Sequence, residues 1–204
     1  MPRDKTESHE RLLEAAKNEF MEYGFTDASM RRIAENAGIT VSGIYKHFKD
    51  KEEMFAALVQ DDLEYLMTQY NSFQNDEYED AEVVPSDELW ENSNEVEWII
   101  DYIYEHYDTF KLIICKSGGT RYENFAEEII EEEVKATYKF FEILNKRGLV
   151  TKKIPKREIH LLVTCSVNAI FETVIHDFTK AEAKAYSKNM DRFFKGGWKS
   201  LMGI

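Results

Sequence analysis

Proline and glycine are scarce in this chain, with three Pro and nine Gly among 204 residues. Both residues interrupt helices, so a chain with few of them can form long ones. Stretches rich in Glu, Lys and Leu repeat their apolar residues at helical spacing. The sequence therefore predicts an all-α fold, with enough length for one large domain or two small ones.

Cysteine is also rare. The two thiols, Cys115 and Cys165, lie in apolar segments without the spacing of a metal site. We expect both to be buried and reduced, as in the cytoplasm. No signal peptide begins the chain, and no apolar run approaches the ~20 residues of a membrane span. These absences predict a soluble cytoplasmic protein with no membrane partner.

Patterns that mark catalytic and metal sites are missing as well. No nucleophile elbow or Cys–His signature occurs, and the Glu-rich stretch 127–133 lacks the Glu-x-x-His motif of di-iron bundles. The histidines are widely dispersed, with no pair at metal-ligand spacing: His9, His47, His106, His160 and His176. We expect no enzymatic activity, no cofactor and no metal site.

Positive charge is absent from a long internal segment, since no Lys or Arg occurs between Lys51 and Lys111. Residues 1–51 are balanced, with nine basic and nine acidic residues, so the net charge of −13 lies in residues 52–204. Such a chain is not a general nucleic-acid coater. Residues 29–51, however, carry five basic and two acidic residues, which suits a specific DNA reader with local contacts.

The most informative stretch is residues 29–51, SMRRIAENAGITVSGIYKHFKDK. Ser29 is a good N-cap for a first helix, and Gly38 supplies the left-handed residue that ends it. Thr40 then caps a second helix that runs through Phe48. The short, glycine-containing interval between the two is the one that a helix-turn-helix requires.

Several short segments in and around this stretch form a known pattern: Gly24-Phe25, Ser29-Met30, Ile33-Ala34, Gly38 to Phe48, and Lys51-Glu52. Together they resemble the DNA-binding segment of TetR-family transcriptional regulators over roughly residues 8–55. The Tyr-x-His-Phe sequence followed by Lys-Glu is specific, whereas a helical hairpin in an ordinary bundle is the structural alternative. The rest of the chain is similar to the family only in helical character and length.

This resemblance implies an architecture of two parts. Residues 1–51 would form a three-helix helix-turn-helix DNA-binding domain. Residues 52–204 would form a larger C-terminal helical bundle for ligand binding and dimerisation.

The second helix presents two kinds of side chain to the DNA. Its N-terminal end is small, suits a major groove and should face the bases: Thr40, Val41, Ser42 and Gly43. Donors for phosphate oxygens follow: Tyr45, Lys46, His47 and Lys51. Three of these, Tyr45, His47 and Lys51, resemble the family's phosphate contacts. Arg31 on the first helix is a further candidate for a backbone or base contact.

Beyond Lys51, the apolar period predicts a long helix to about residue 73. Residues 74–92 are acidic, contain one Pro and no basic residue, and predict a solvated loop. A helix over about 94–107 follows. The longest helix is expected to open with a capping box at Thr120–Glu123 and to reach about Lys146.

Candidates for an effector site lie within residues 52–145. Trp98, Tyr102 and His106 follow one another at i, i+4 spacing, which suits either one wall of a pocket or ordinary edge packing. Arg121 and Tyr138 are further candidates. We expect a hydrophobic or aromatic ligand. Aromatic rings and nearby carboxylates favour a cation, whereas Arg121 leaves an anion open. The acidic residues of the helix predicted over about 94–107 also suit an ordinary solvated surface.

The last two helices, predicted from Pro155 and from about Lys180, are apolar over wide faces. They suit either a subunit interface or burial within one bundle. Because the final two helices form a four-helix dimer interface in the family, the resemblance favours a homodimer. The predicted interface residues are Ser166, Ile170, Val174, Phe193, Phe194 and Trp198.

These features predict a sequence-specific DNA-binding regulator, most simply a dimeric repressor that a small-molecule effector releases from a near-palindromic operator. The alternative is a helical ligand-binding or protein-interaction module without DNA reading. Val41 and Gly43 favour that alternative, since they stand where family members often carry hydrogen-bonding side chains. Against it, Val41 can touch a thymine methyl group and Gly43 permits close approach to the duplex.

Overall fold

The computed structural model describes residues 5–85, 88–89 and 93–203. Within these ranges the chain forms helices and no strand, which confirms the all-α prediction. In chain order the helices are α1 (Lys5–Asp27), α2 (Met30–Ala37), α3 (Val41–Ile44), α4 (Lys51–Val83), α5 (Glu95–Glu105), α6 (Tyr107–Cys115), α7 (Phe125–Lys146), α8 (Lys156–Ile175) and α9 (Lys180–Met202).

The helices group into two compact units. The first unit holds residues 1–64 and 106–124, and the second holds residues 65–105 and 125–204. Helix α4 contributes residues to both. The predicted boundary after residue 51 divides the chain by function rather than by compactness, and it stays a prediction.

The first unit is organised around a bend in α1. Gly24 interrupts the helix with a φ of 73°, a left-handed value that glycine adopts without steric cost. After this bend, Phe25 packs against the buried rings of Phe20 and Phe55. The centroids of the three rings are 5.2–5.9 Å apart in pairs. These contacts join α1 to the start of α4 inside one hydrophobic core.

The caps predicted for the helix-turn-helix are confirmed. The Ser29 side chain accepts a hydrogen bond from the Arg32 N–H, Gly38 takes a φ of 66°, and the Thr40 side chain accepts from the Gly43 N–H. Helix α3 is shorter than expected, because it ends at Ile44 and the chain continues as a turn to residue 47.

The loop expected over residues 74–92 is wrong for its first part, because α4 continues to Val83. Gln74 and Ala81 are buried within the second unit. The acidic segment therefore has a face that packs inside the second unit. Its buried residues are small or polar, so the sequence did not predict that they are buried. Of the expected loop, residues 86, 87 and 90–92 lie outside the described residues.

The end of α4 is stabilised by a residue far away in the sequence. The guanidinium of Arg147 donates hydrogen bonds to the carbonyl oxygens of Ala81 and Val84, at 2.7 and 2.8 Å. Carbonyls in the last turn of a helix have no partner inside the helix. Arg147 thus supplies the C-terminal cation that residues 74–92 lack.

The capping box expected at Thr120–Glu123 does not open α7, which begins at Phe125. The Glu123 carboxylate instead accepts a hydrogen bond from the Gly119 N–H at 2.9 Å, inside the preceding turn. With 22 residues, α7 is also not the longest helix, since α4 has 33.

Neither Cys115 nor Cys165 forms a disulfide, but both are exposed, so the expectation that they are buried was wrong. Cys165 lies one helical turn after Leu161, which is 55% exposed on α8. An apolar neighbourhood in the sequence did not predict burial, because α8 has an apolar outer face as well as an inner one.

Helix α8 also departs from the expected absence of long apolar segments. Among the described residues, this helix of 20 residues is long and apolar enough to cross a membrane by length and composition, with a mean hydropathy of 1.4 over an 18-residue window. A core helix of a soluble protein passes the same test, so the finding assigns no membrane role. It does show that α8 carries more apolar surface than one helix face needs.

Candidate DNA-reading surface and ligand cavity

Six of the nine residues predicted to contact DNA are exposed on α2, α3 and the turn after it. They are Arg31, Thr40, Val41, Ser42, Tyr45 and Lys46. Gly43 and His47 are half-buried behind them. The hydroxyl oxygens of Thr40 and Ser42 lie 3.1 Å apart at the helix start. Small groups at this end and a 55% exposed Tyr45 beside them leave a surface open for a duplex.

A buried carboxylate holds the reading helices in place. Glu19 on α1 is 3% exposed. Its carboxylate accepts hydrogen bonds from the Ser29 N–H at 2.7 Å and from Arg32 Nε at 2.8 Å. Burial by itself would raise the pKa of Glu19, but these hydrogen bonds outweigh it and hold that pKa below its ordinary value. The sequence analysis missed this role, although Glu19 stands on the apolar face of α1, where an acid is unusual.

Lys51 is placed differently from the other predicted DNA contacts. Its ammonium donates to three backbone carbonyls, those of Phe25, Thr26 and Ala28, at 2.6, 3.2 and 3.1 Å. Burial lowers the pKa of Lys51 below its ordinary value. An ammonium has three donors, and carbonyl oxygens here accept all of them. We therefore expect Lys51 to hold the end of α1 rather than a phosphate, and its phosphate contact stays a prediction.

The second unit contains a cavity of about 220 Å³. Residues of α4, α5, α7, α8 and α9 line it. Most of the wall is apolar, including Phe125 and Phe171, whose ring centroids are 5.8 Å apart. A largely apolar cavity with a few polar groups is the usual form of a small-molecule site.

Three carboxylates enter this cavity: Glu77 from α4, Glu95 from α5 and Glu133 from α7. The Glu133 carboxylate accepts hydrogen bonds from the Tyr70 hydroxyl at 2.7 Å and from Gln74 Nε2 at 3.3 Å. Burial raises the pKa of Glu133 despite these bonds. Burial, with repulsion from Glu133 and Asp80, raises the pKa of Glu77 to about 7. Burial, with repulsion from Glu77 and Glu133, raises the pKa of Glu95 well above its ordinary value. Attraction to Lys195 opposes both shifts without cancelling them.

The comparison with known protein families concerns the first unit. Residues 12–58 match a family model described as bacterial regulatory proteins of the tetR family. The match covers α1, α2, α3 and the start of α4, which are the elements that carry the exposed reading surface. Residues 12–58 therefore carry the DNA-binding segment of the tetR family of bacterial regulatory proteins.

Curated relatives agree with this assignment. An HTH-type transcriptional regulator of Staphylococcus aureus is 29% identical over 135 residues, which cover 66% of this chain and 66% of that protein. A regulator of the same description from another strain is 27% identical over the same length. The match thus spans just under two thirds of these relatives.

Solved structures share the fold over nearly the whole chain. The fatty acid degradation regulator FadR from Bacillus halodurans has a TM-score of 0.59 at 15% identity, covering 95% of this chain and 96% of that one. A TetR-like regulator from Rhodococcus sp. has a TM-score of 0.57 at 17% identity, with 97% of each covered. FadR from Bacillus subtilis, solved in complex with stearoyl-CoA, has a TM-score of 0.52 at 15% identity, covering 96% of this chain and 98% of that one. At these identities the similarity shows the fold alone.

None of the five residues predicted to bind the effector lines the cavity. In the second unit, Trp98 and Tyr102 stack with ring centroids 5.2 Å apart, and Tyr138 faces the Lys156 ammonium at 5.1 Å. In the first unit, His106 Nδ1 lies 2.8 Å from Asp62, and Arg121 donates to Gln60 and to the Tyr122 hydroxyl. A ligand role for these five stays a prediction.

The residues predicted for the dimer interface separate into three groups. Four line the cavity: Ser166, Ile170, Phe194 and Trp198. Val174 is fully buried in its own unit, so it cannot contact a partner, and we withdraw it. Phe193 alone of the six is largely exposed, at 75%. Helical spacing identified the apolar residues of α8 and α9, but not which of their two apolar faces lies inside.

Proposed function

We propose that this chain is a homodimeric repressor that binds a near-palindromic operator and leaves it when a small molecule occupies the cavity. The observation that carries the proposal is the exposed end of α3, from Thr40 to Gly43, with Tyr45 and Lys46 beside it. Side chains of this kind read base edges and hold phosphates. A regulator of this kind would act in the cytoplasm.

An exposed apolar surface on the second unit supports the dimer. On α8, Leu161 and Ile175 are 55% and 43% exposed, and on α9, Tyr186 and Phe193 are 37% and 75% exposed. We take these four residues as the proposed dimer face. Nothing within 4 Å would meet a Cβ added at Gly196 or Gly197, one turn beyond Phe193. Two glycines in a helix cost stability, and close approach of a partner helix would account for them.

A two-fold dimer imposes a symmetric operator. Isologous pairing would place two reading helices about 34–36 Å apart, or a multiple of that, on one side of the duplex. Each subunit would contact one half-site. The proposal therefore predicts a near-palindromic site, which selection of bound sequences from random DNA would reveal.

Helix α4 offers the route from ligand to operator. Leu66, Tyr70 and Glu77 on its second half line the cavity, while its first half belongs to the unit that carries α3. A ligand that favours one arrangement of α4 over another would shift the spacing of the two readers. Typical couplings of this kind are about 1–3 kcal/mol.

The dimer is tested with Phe193→Glu. A carboxylate on the proposed dimer face would have to be buried without a partner, so we expect monomers and at least about a hundredfold weaker operator binding. Sedimentation gives the oligomeric state, and a gel shift with DNA from beside the protein's own gene gives the binding. A wild-type protein that is monomeric at micromolar concentration, or that does not shift this DNA or any selected site, would contradict the proposal.

Phe194→Ala provides the matched control, because Phe194 is the neighbouring residue but lines the cavity. This variant should remain a dimer and still bind the operator. Its response to an effector should change instead. If both variants become monomers equally, the separation of the two α9 faces is wrong.

A further inference from the structure

The cavity holds more acid than its other groups can balance. Glu133 is hydrogen-bonded to Tyr70 and Gln74, as described above. Within the described residues, Glu77 and Glu95 make no hydrogen bond and no ion pair, although both line the cavity. Both side chains are half-buried, and carboxylates partly withdrawn from water are normally paired or hydrogen-bonded. Two that are not, beside an open apolar space, call for a partner that the chain does not supply.

The cation that lines the cavity, Lys195, attracts Glu77 and Glu95 but forms no ion pair with either. Lys195 is already bound to Asp191 on the same helix, with Nζ 3.0 Å from the carboxylate. Its ammonium also lies 3.5 Å from the Ser93 carbonyl oxygen. Four carboxylates therefore share the cavity wall with one ammonium. When the acids are ionised, a deficit of positive charge remains.

The cavity wall is not suited to a bare metal ion. Among the described residues, no group of three or more His, Cys, Asp or Glu side chains is arranged to hold one. The wall beside the acids is aromatic: Phe140, Phe141 and Trp198 line the same cavity, and Trp198 packs edge-on against Phe141 at 5.6 Å. Aromatic faces stabilise organic cations by cation–π attraction.

We propose that the ligand of this cavity is an organic cation with an apolar body, whose charged nitrogen lies between Glu77 and Glu95. The inference rests on the proposed function, since it names the chemical class of the effector. The apolar body would occupy the region of Leu66, Ile99 and Phe171. Both ends of such a ligand find a matching surface inside one unit of the protein.

The same arrangement disfavours an anionic ligand. A carboxylate or phosphate in this cavity would face three acids and gain at most the Lys195 ammonium, which Asp191 already neutralises. Like charges in a poorly solvated space repel strongly. The fold similarity to a FadR solved with stearoyl-CoA therefore does not extend to the charge of the ligand.

Three probes with the same eight-carbon chain test the charge directly: octyltrimethylammonium, octan-1-ol and octanoate. Each is titrated into the full-length protein by calorimetry at pH 8, where the quaternary ammonium cannot lose its charge. We expect the ammonium to bind at least about tenfold more tightly than octanol. Octanoate should bind most weakly. Equal binding of ammonium and octanol, or no binding of the ammonium, would overturn the inference.

Two isosteric variants locate the charge. Glu77→Gln and Glu95→Gln should each weaken ammonium binding about tenfold or more while leaving octanol binding within about twofold. Glu131→Gln is the control, because Glu131 lies on the same helix as Glu133 but is exposed. The control variant should bind all three probes like wild type. If both Gln variants keep wild-type affinity for the ammonium, its nitrogen does not lie between these acids, and the proposal fails.

A gel shift without any probe separates this result from the proposed function. If the protein binds the operator but not the ammonium probe, the proposal of a cationic ligand fails and the proposed repressor function is supported. If the protein binds the ammonium probe but not the operator, the proposed repressor function fails and the cation site is supported.

Discussion

The reading surface and the cavity differ in how the chain builds them. The exposed residues that are predicted to contact DNA lie between Arg31 and Lys46, and caps from the same stretch fix their helices. The cavity takes its wall from five helices that span residues 66–198. A surface made by neighbouring residues leaves a pattern in the sequence. A cavity made by distant ones leaves only scattered acids and aromatics, which look like solvated surface and ordinary core.

The largest effect that sharpens this comparison comes from two adjacent arginines. Arg31 is exposed, whereas Arg32 binds the buried Glu19 and the Asp27 carbonyl. Arg32→Ala should leave the buried Glu19 carboxylate without its cation and with the Ser29 N–H as its remaining donor, which costs about 1–3 kcal/mol. Arg31→Ala should leave stability within about 0.5 kcal/mol of wild type and weaken DNA binding.

Urea unfolding followed by circular dichroism measures the first quantity, and fluorescence anisotropy with operator DNA measures the second. Glu19→Ala serves as the control, because it should destabilise the first unit as Arg32→Ala does. If Arg31→Ala destabilises the protein and Arg32→Ala does not, the assignment of Arg31 to DNA contact and of Arg32 to structural support is wrong.

A second, smaller effect distinguishes the lysines. Lys46 is exposed, and Lys51 donates to three carbonyls of the first unit. Lys46→Ala should reduce the slope of log Kobs against log salt by about 1, because one phosphate contact is lost. Lys51→Met should lower stability by about 1–3 kcal/mol and leave that slope unchanged. A reduced slope in Lys51→Met would return Lys51 to the phosphate contacts.

Local chemistry made part of the fold predictable. Ser29, Gly38 and Thr40 act on residues within four positions of themselves, so their roles can be inferred from spacing. Arg147 ends α4 from more than sixty residues away. No local pattern in residues 74–92 predicts the contact with Arg147. The acidic segment was therefore expected to be a loop.

Burial could not be inferred where a helix is apolar on two faces. Val174 and Phe193 are both large and apolar, yet the first is fully buried and the second is 75% exposed. The side that faces the unit's own core is set by how α8 and α9 pack against the other helices. The same holds for Glu77 and Glu95, which are ordinary acids in the sequence and acquire their role only inside the cavity.

The smallest effect tests the cavity through pH. Burial and neighbouring acids raise the pKa of Glu77 from 4.5 to about 7 in the folded protein. The folded state therefore prefers the protonated carboxyl. This preference stabilises the protein fully below pH 4.5 and is lost as the pH rises through about 7. Glu77→Gln removes the titration. Its stability relative to wild type should therefore rise between pH 4.5 and 7.

Urea midpoints of both proteins across this range give the difference, and Glu131→Gln gives a control difference that should stay flat. The other titratable and charged groups near Glu77 come from four helices: Tyr70, Tyr78 and Asp80 on α4, Glu95 on α5, Glu133 on α7, and Asp191 and Lys195 on α9. Because Glu77 also raises the pKa of Glu95, the Gln variant relieves Glu95 as well. This coupling should extend the rise above pH 7 rather than abolish it. A flat difference for Glu77→Gln would mean that water or another group solvates this carboxylate, and the cavity would then lack the charge deficit that favours a cation.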